Sequence, residues 1–512
     1  MLVPPLSRLV TSARRLLLKR VILRYENTFP CFVIRGHHAI KSPELLPPAY
    51  FDSVARYQLY PGNLAMAMNS KMVYQFSGGF ADYRLQKRNH PQTRFNLASI
   101  SKIFTSTAIL QLRDKGKLQL DDAVQKYLPE FPFQGVSIRH LLTHTSGLPN
   151  LELTDAAIRL NPDTVITNAI LLPLLQQWNK PLYFKPGEEF RYCNTGYMLA
   201  AMIVEKITRQ PFARYLEQHI FRPAGMQNTY LAIYGSSNWN DTARAVHQVL
   251  PVMYNEDYIP ASEVKRFRYS EYNNQAAYGS SNIISTTADM LLFDAAFFGG
   301  RLLRKSSMEE ALTPIKLNNG KVHTEHMDTM LGEGEGHYGM GWEIFEQPGF
   351  GKSVGHGGFK FGMATFYFHH LQPSQTIVAF INGESRFGDI VTSAFYLLNG
   401  RATMPLEHKR SAVRAYARAL QQGDANHAAA VLQAARADTA NYFFNYREMN
   451  RLGYDFLYFA SFKDHQQLSL ETFKLNTFIA PDDFNTYDSY GEALRESGRR
   501  DDAISMYRRS WN

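Results

Sequence analysis

The chain has 512 residues, 45% of them hydrophobic and 13% aromatic, enough to bury a large core and more than one typical domain requires. Its net charge of +9 is concentrated at one end: Arg8, Arg14, Arg15, Lys19, Arg20 and Arg24 all precede the first acid, Glu26, and supply six of the nine charges. The remainder is near balance, which argues against a nucleic-acid partner, and two cysteines, Cys31 and Cys193, exclude a disulfide framework.

Residues 1–50 form a basic extension. The apolar triplets Leu16-Leu17-Leu18 and Val21-Ile22-Leu23 are cut by Lys19-Arg20 and Arg24, so the stretch does not read as a clear secretory signal, and no stretch approaches the roughly 20 apolar residues of a membrane span. Two readings stand side by side: a basic amphipathic helix lying on an anionic membrane surface, or an extension without function. The compartment is not readable from the sequence.

From residue 51 the pattern is that of an α/β domain. Leu64–Met68 and Met72–Phe76 read as a hairpin around Asn69-Ser70-Lys71, followed by a buried helix opening near Ser99. Ile103, Phe104, Ala108, Ile109, Leu110 and Leu112 keep a 3.6-residue period, and Gly116 stands where a C′ glycine belongs. Within that helix Ser99 and Lys102 lie three residues apart, on one face. A serine hydroxyl is a weak nucleophile unless a base takes its proton, and a poorly solvated lysine amine is such a base. By itself the stretch reads more readily as an ordinary helix with a serine N-cap and an exposed lysine, because Ser-x-x-Lys occurs by chance in most chains of this length.

Residues 103–350 read as mostly helical, with a polar, aromatic insertion at about 233–277 (Trp239, Tyr254, Tyr258, Phe267, Tyr269, Tyr272) that either roofs a cleft or is a surface excursion. Tyr192-Cys193-Asn194 reads as a short extended piece in which Tyr192 and Asn194 point the same way, a phenol to relay a proton and an amide to hold a carbonyl. Cys193 points the other way and reads as packing. His140 and His144, four apart, have metal-ligand spacing without an acidic third ligand, so no metal or other cofactor is expected. In Val354-Gly355-His356-Gly357-Gly358-Phe359 the small residues suit a strand edge on which a substrate lies, with main-chain N–H groups able to act as an oxyanion hole. Met363–His369 and Thr376–Asn382 read as a second hairpin resuming the first sheet.

Ser-x-x-Lys at 99–102, Tyr-x-Asn at 192–194 and His-x-Gly at 356–358, in that order, resemble the three motifs of the penicillin-recognising serine hydrolases, in the class C β-lactamase branch with its D,D-peptidase and esterase relatives. Phe95–Ala98, His140–Pro149, Ser285–Met290 and Tyr338–Trp342 are similar to further segments of that family, over about residues 52–400. The resemblance implies a β-lactamase/transpeptidase-like fold, an antiparallel sheet flanked by helices beside an all-helical subdomain with the site in their cleft. It implies a serine hydrolase acting through an acyl-enzyme on a small-molecule or peptide acyl substrate. Ser99 is then the nucleophile, Lys102 its proton acceptor and Tyr192 a proton shuttle, the base being Lys102, Tyr192 or the coupled pair. Asn194 orients the substrate amide, His356 and Gly358 line the strand, and the N–H groups of Ser99 and Phe359 bind the oxyanion, each such donor worth roughly 3 kcal/mol of barrier. The lactamases of this branch carry lysine where His356 stands. A neutral imidazole there argues against antibiotic hydrolysis and for an ester, an amide or a D-amino-acid peptide.

Residues 401–447 read as a linker and alanine-rich helices. Residues 448–512 then hold two related units, Leu452-Gly453-Tyr454 with Phe473 and Pro481, and Tyr490-Gly491-Glu492-Ala493-Leu494 with Gly498, Ala503 and Tyr507. Phe473 and Tyr507 are 34 residues apart, the period of tetratricopeptide helix pairs, while Gly453 and Gly491 are 38 apart, which reads as a four-residue insertion in the first unit. Such repeats either cap the fold or offer a groove to a protein partner. That offers a rival function: a catalytically weak scaffold whose repeats recruit a partner.

Overall fold

The computed structural model describes residues 48–512 apart from 256, 330–331, 348–350, 407, 423–424, 460–463 and 511–512; the basic extension, with Cys31, lies outside the described residues. The chain forms two compact units, one of residues up to 248 together with 260–404, the other of residues 249–259 together with 405–512.

The first unit opens with helix α1 (Pro48–Arg56) and the hairpin β1 (Gly62–Met68) and β2 (Lys71–Gly78). Its turn is made by Asn69 and Ser70, both at positive φ, the conformation a two-residue hairpin turn demands. Helix α2 (Ser101–Asp114) is buried from Ser101 to Leu112, and Gly116 follows it at φ +66°, its N–H donating to the Arg113 carbonyl at 2.8 Å. Helix α3 (Asn194–Thr208) packs on α2, and α4 (Thr287–Phe298) lies against the sheet.

Three strands then follow where helix was expected: β3 (Glu325–Thr329), β4 (Gly332–Tyr338) and β5 (Glu343–Gln347). The sequence Gly-Glu-Gly-Glu-Gly-His-Tyr of β4 has no apolar alternation, so nothing local marks it as a strand; pairing with β5 does. Next come β6 (Gly351–Lys360), β7 (Met363–His370), β8 (Gln375–Ile381) and α5 (Phe387–Leu398). The result is one eight-stranded sheet, antiparallel at every pair, in the order β3-β4-β5-β6-β7-β8-β1-β2. The first hairpin thus pairs with the last, Gly62 opposite Ile381, which closes the domain across more than 300 residues. Between sheet and helices, Phe104 packs on Phe293 (4.4 Å between centroids) and Phe297 on the fully buried Trp342 (4.8 Å).

The second unit is helical: α6 (Ala412–Gln422), α7 (Ala425–Ala437), α8 (Tyr446–Tyr458), α9 (His465–Ile479), α10 (Phe484–Glu496) and α11 (Arg500–Arg509). Gly453 of α8 presses on the Phe473 ring of α9, and Gly491 of α10 presses on the Tyr507 ring of α11; a Cβ at these positions would lie 2.6 and 2.9 Å from the rings. The insertion divides. Its middle, 249–259, belongs to this unit, where the Met253 N–H donates to Asp455 at 2.8 Å and Tyr254 stacks on Phe456. Its last part stays in the first unit: Phe267 stacks on Phe361 at 4.0 Å, Glu271 accepts the Phe361 N–H at 3.1 Å, and Tyr269 bonds to the Leu151 carbonyl and to Asp155.

Candidate active site

Ser99 sits in a 3-10 turn, Ala98–Ile100, between the short strand Phe95–Asn96 and α2. The turn is sharp because Ala98 holds φ +44°, a left-handed conformation that costs a residue with a Cβ about 1 kcal/mol or more. It is held from three directions. Asn96 Oδ1 accepts the Ala98 N–H at 2.9 Å, the Leu97 N–H donates to the Ile283 carbonyl at 2.7 Å, and Thr365 Oγ1 donates to the Leu97 carbonyl at 3.0 Å. Ser99 is left half-buried at the head of the helix.

Lys102, one turn on, is fully buried. Its Nζ donates to Ser99 Oγ at 3.1 Å, to Asn194 Oδ1 at 2.8 Å and to the Ser280 carbonyl at 3.0 Å. The first contact run in reverse, an amine lone pair accepting the hydroxyl proton, is the geometry a general base needs. The Tyr192 ring lies 4.8 Å from Nζ and the Tyr197 ring 5.7 Å.

The Tyr192–Asn194 segment is not the strand expected. Cys193 is the extended N-cap and Asn194 the first residue of α3, so the two side chains converge through a helix start. Asn150 clamps this start: its Oδ1 accepts the Asn194 N–H at 2.9 Å and its Nδ2 donates to the Tyr192 carbonyl at 3.4 Å. The Cys193 thiol is buried against the Leu148 and Pro149 carbonyls, and burial pushes it up to about 11, which suits packing and not nucleophilic chemistry.

His140 and His144 part company because the helix between them ends at Leu142 and His144 turns to φ +59°. The His140 ring closes a capping box on Ser137. The His144 ring lies under the site, 4.2 Å from the Tyr192 ring and 4.7 Å from that of Tyr338. Its Nδ1 accepts the Cys193 N–H at 3.0 Å, which leaves the proton on Nε2, and Nε2 is buried without a hydrogen-bond partner among the described residues. Burial, with the Lys102 charge, holds this imidazole well below its ordinary pKa.

His356 on β6 is also buried and neutral. Its Nδ1 contacts the Gly357 carbonyl at 2.6 Å and must carry the proton, so Nε2 accepts from the Tyr338 hydroxyl at 3.1 Å. Burial, then the Lys102 charge, holds it down at about 3. Gly358 is the close-approach point of the strand and the turn that holds Ser99: a Cβ there would lie 2.5 Å from the Leu97 carbonyl and 2.3 Å from Thr365 Oγ1. The Phe359 side chain is exposed, and its N–H lies on the edge of β6 away from β7.

Sequence reasoning missed Glu343. The first residue of β5, it accepts the Gly357 N–H through Oε2 at 3.2 Å and brings Oε1 to 3.5 Å from His356 Nδ1. Burial pushes its carboxyl up to about 7, against the opposing pull of the Gly357 N–H and the Lys102 amine. The adjacent Tyr338–Trp342 segment was the available signal.

Residues 52–392 match the model of the Beta-lactamase family. The chain belongs to that family. Penicillin-binding protein 4* of Bacillus subtilis (strain 168) is 32% identical to it over 334 residues, 65% of this chain and 70% of the relative. The crystal structure of a penicillin-binding protein from Bacillus halodurans is similar at 26% identity and a TM-score of 0.56, covering 68% of this chain and 98% of that one. A D-stereospecific amidohydrolase from Streptomyces sp., at 22% identity and a TM-score of 0.51 over 68% of this chain and 97% of its own, shares the fold. The first unit is accordingly a β-lactamase/transpeptidase-like family domain, and its relatives support a serine hydrolase activity in general terms.

Proposed function

We propose that this chain is a serine hydrolase of ester, amide or D-amino-acid peptide bonds that works through an acyl-enzyme. The observation that carries the reading is the buried Lys102 amine 3.1 Å from Ser99 Oγ, with Asn194 as its second partner. Lys102 takes the Ser99 proton as Oγ adds to the acyl carbon, and the carbonyl oxygen becomes an oxyanion facing the N–H groups of Ser99 and Phe359. Tyr192, whose ring borders Lys102, passes the proton to the departing alcohol or amine as that bond breaks. Water then adds to the ester on Ser99, giving up a proton by the same route, and the acid leaves. Asn194 holds the substrate amide. His356 is neutral and tied to Tyr338, so it adds no positive charge to the site, which favours esters and amides over lactam antibiotics.

A fluorophosphonate or penicillin-type probe should label the intact chain once, and Ser99→Ala should abolish both labelling and ester hydrolysis. Labelling that persists in Ser99→Ala would refute this nucleophile. We also infer that the second unit contains two tetratricopeptide-like repeats, supported by the matching glycine-on-aromatic contacts at Gly453 and Gly491.

A further inference from the structure

Strand β6 outruns its neighbour. Gly355 stands opposite Glu343, where β5 begins, while His356 to Lys360 pair with β7 alone. The Gly357 N–H points away from β7, to the Glu343 carboxylate, and strand alternation turns the Phe359 N–H to the same side, about 7 Å further on. This edge has one end at Ser99, because Gly358 abuts the nucleophile turn. Its other end is the Glu343 carboxylate, about one-third exposed. On the face of the strand beside this edge there is also room, since among the described residues nothing lies within 4 Å of where a Cβ on Gly357 would stand.

Neighbouring basic groups have other partners. Lys102 is bonded to Ser99, Asn194 and Ser280, the His356 ring is held by Tyr338 and the Gly357 carbonyl, and Lys360 lies beside Glu271. An acyl substrate seated at Ser99 and running along this edge therefore meets an acid.

We propose that Glu343 is a specificity-determining residue: along this edge it selects substrates whose nearest group is neutral or cationic and rejects those presenting a carboxylate there. The inference rests on the hydrolase reading above and names the charge class of its substrate. Two carboxylates within about 7 Å in a partly shielded cleft repel strongly enough to change rates about tenfold or more.

The test uses the full chain and two matched series of aryl esters, one with a carboxylate, a methyl or an ammonium at the end of the acyl chain, the other with the same groups on the leaving phenol. In at least one series kcat/KM for the carboxylate should fall about tenfold below that of the neutral ester. Glu343→Gln should erase that ratio and Glu343→Lys should invert it. Ratios within one preparation are independent of the fraction that folds. A second measurement needs no variant: on going from pH 8 to pH 5.5 the wild-type carboxylate-to-neutral ratio should rise as Glu343 takes up a proton. Of the groups around Glu343, His356 stays neutral across that range, burial keeps the Tyr338 hydroxyl uncharged, the Lys102 charge attracts the carboxylate ester and works against Glu343, and Glu325, paired with His323 at 3.2 Å, adds repulsion of the same sign as Glu343. Equal rates for carboxylate and neutral esters, or a preference that survives Glu343→Gln, would overturn the proposal and leave the hydrolase intact. Failure of Ser99-dependent cleavage of the neutral ester itself would overturn both.

Discussion

Two buried imidazoles distinguish this site at the level of single residues. His144 and His356 each carry one proton in the fold, and burial is the main reason neither takes a second near neutrality. Unfolded, each titrates near 6.5, so below that pH the unfolded chain binds more protons and stability falls as the solution is acidified. The window for His356 runs from about 6.5 down to about 3. Glu343 works in the opposite sense: its carboxyl, raised to about 7, holds a proton in the fold that the unfolded chain releases above about 4.5, so its contribution is lost as pH rises through that interval. Other carboxylates also titrate in acid, and a comparison of two proteins cancels them. His356→Asn should make the wild-type-minus-variant stability, read from urea midpoints, fall by up to about 1.4 kcal/mol per pH unit between pH 6.5 and 4. A difference that is flat across this window would mean that the imidazole charges in place.

The elements show which parts of the site a sequence carries. Ser99 and Lys102 are joined by helical spacing, a local rule, and their 3.1 Å contact follows from it. Tyr192 and Asn194 were placed on the right segment for a reason that did not hold, since a helix start clamped by Asn150, and not strand alternation, brings them to Lys102. His140 and His144 share helical spacing but no helix. Glu343 was legible only through the adjacent Tyr338–Trp342 segment, because β3 is polar, β4 alternates glycine with glutamate and β5 has a single Ile-Phe pair; their neighbours in the sheet make them strands. In the helical unit the paired positions singled out in the sequence do meet: Gly453 and Gly491 each press on an aromatic ring of the next helix. Gly453→Leu drives a side chain into the Phe473 ring, which is fully buried and has no room to retreat. Overpacking of this kind costs about 1–3 kcal/mol, and a second change, Phe473→Ala, should return part of that loss by vacating the space. Equal stability of the single and double variants in a denaturant titration would mean that α8 and α9 separate without cost.

The whole chain does not divide into two successive segments. Residues 249–259 leave the first unit, contribute to the second and return at 260, so the chain passes between units three times, the last at 404–405. What they contribute is core: Val252, Met253 and Tyr254 are buried with Val413, Leu452 and Phe456, and the Asp455 carboxylate accepts the Met253 N–H. The expectation of one boundary near residue 400 read composition, which changes there, and could not see an apolar triplet 150 residues upstream that completes the later core. A chain ending at 404 would keep Ser99, Lys102, Tyr192, Asn194 and His356 and lose the partners of that triplet. Three apolar side chains would then lie in water on an excursion from the hydrolase domain, at about 1.5–3 kcal/mol of lost burial for each large one, and an exposed patch of this kind drives association. The truncated chain should therefore self-associate and bind a hydrophobic dye, and replacing Val252, Met253 and Tyr254 by serine in it should restore a monodisperse species. In the full chain the same three replacements should instead lower the stability of the helical unit. A truncated protein that stays monodisperse with its triplet intact would show that the excursion finds cover within the first unit, and would remove the basis for treating 249–259 as part of the second.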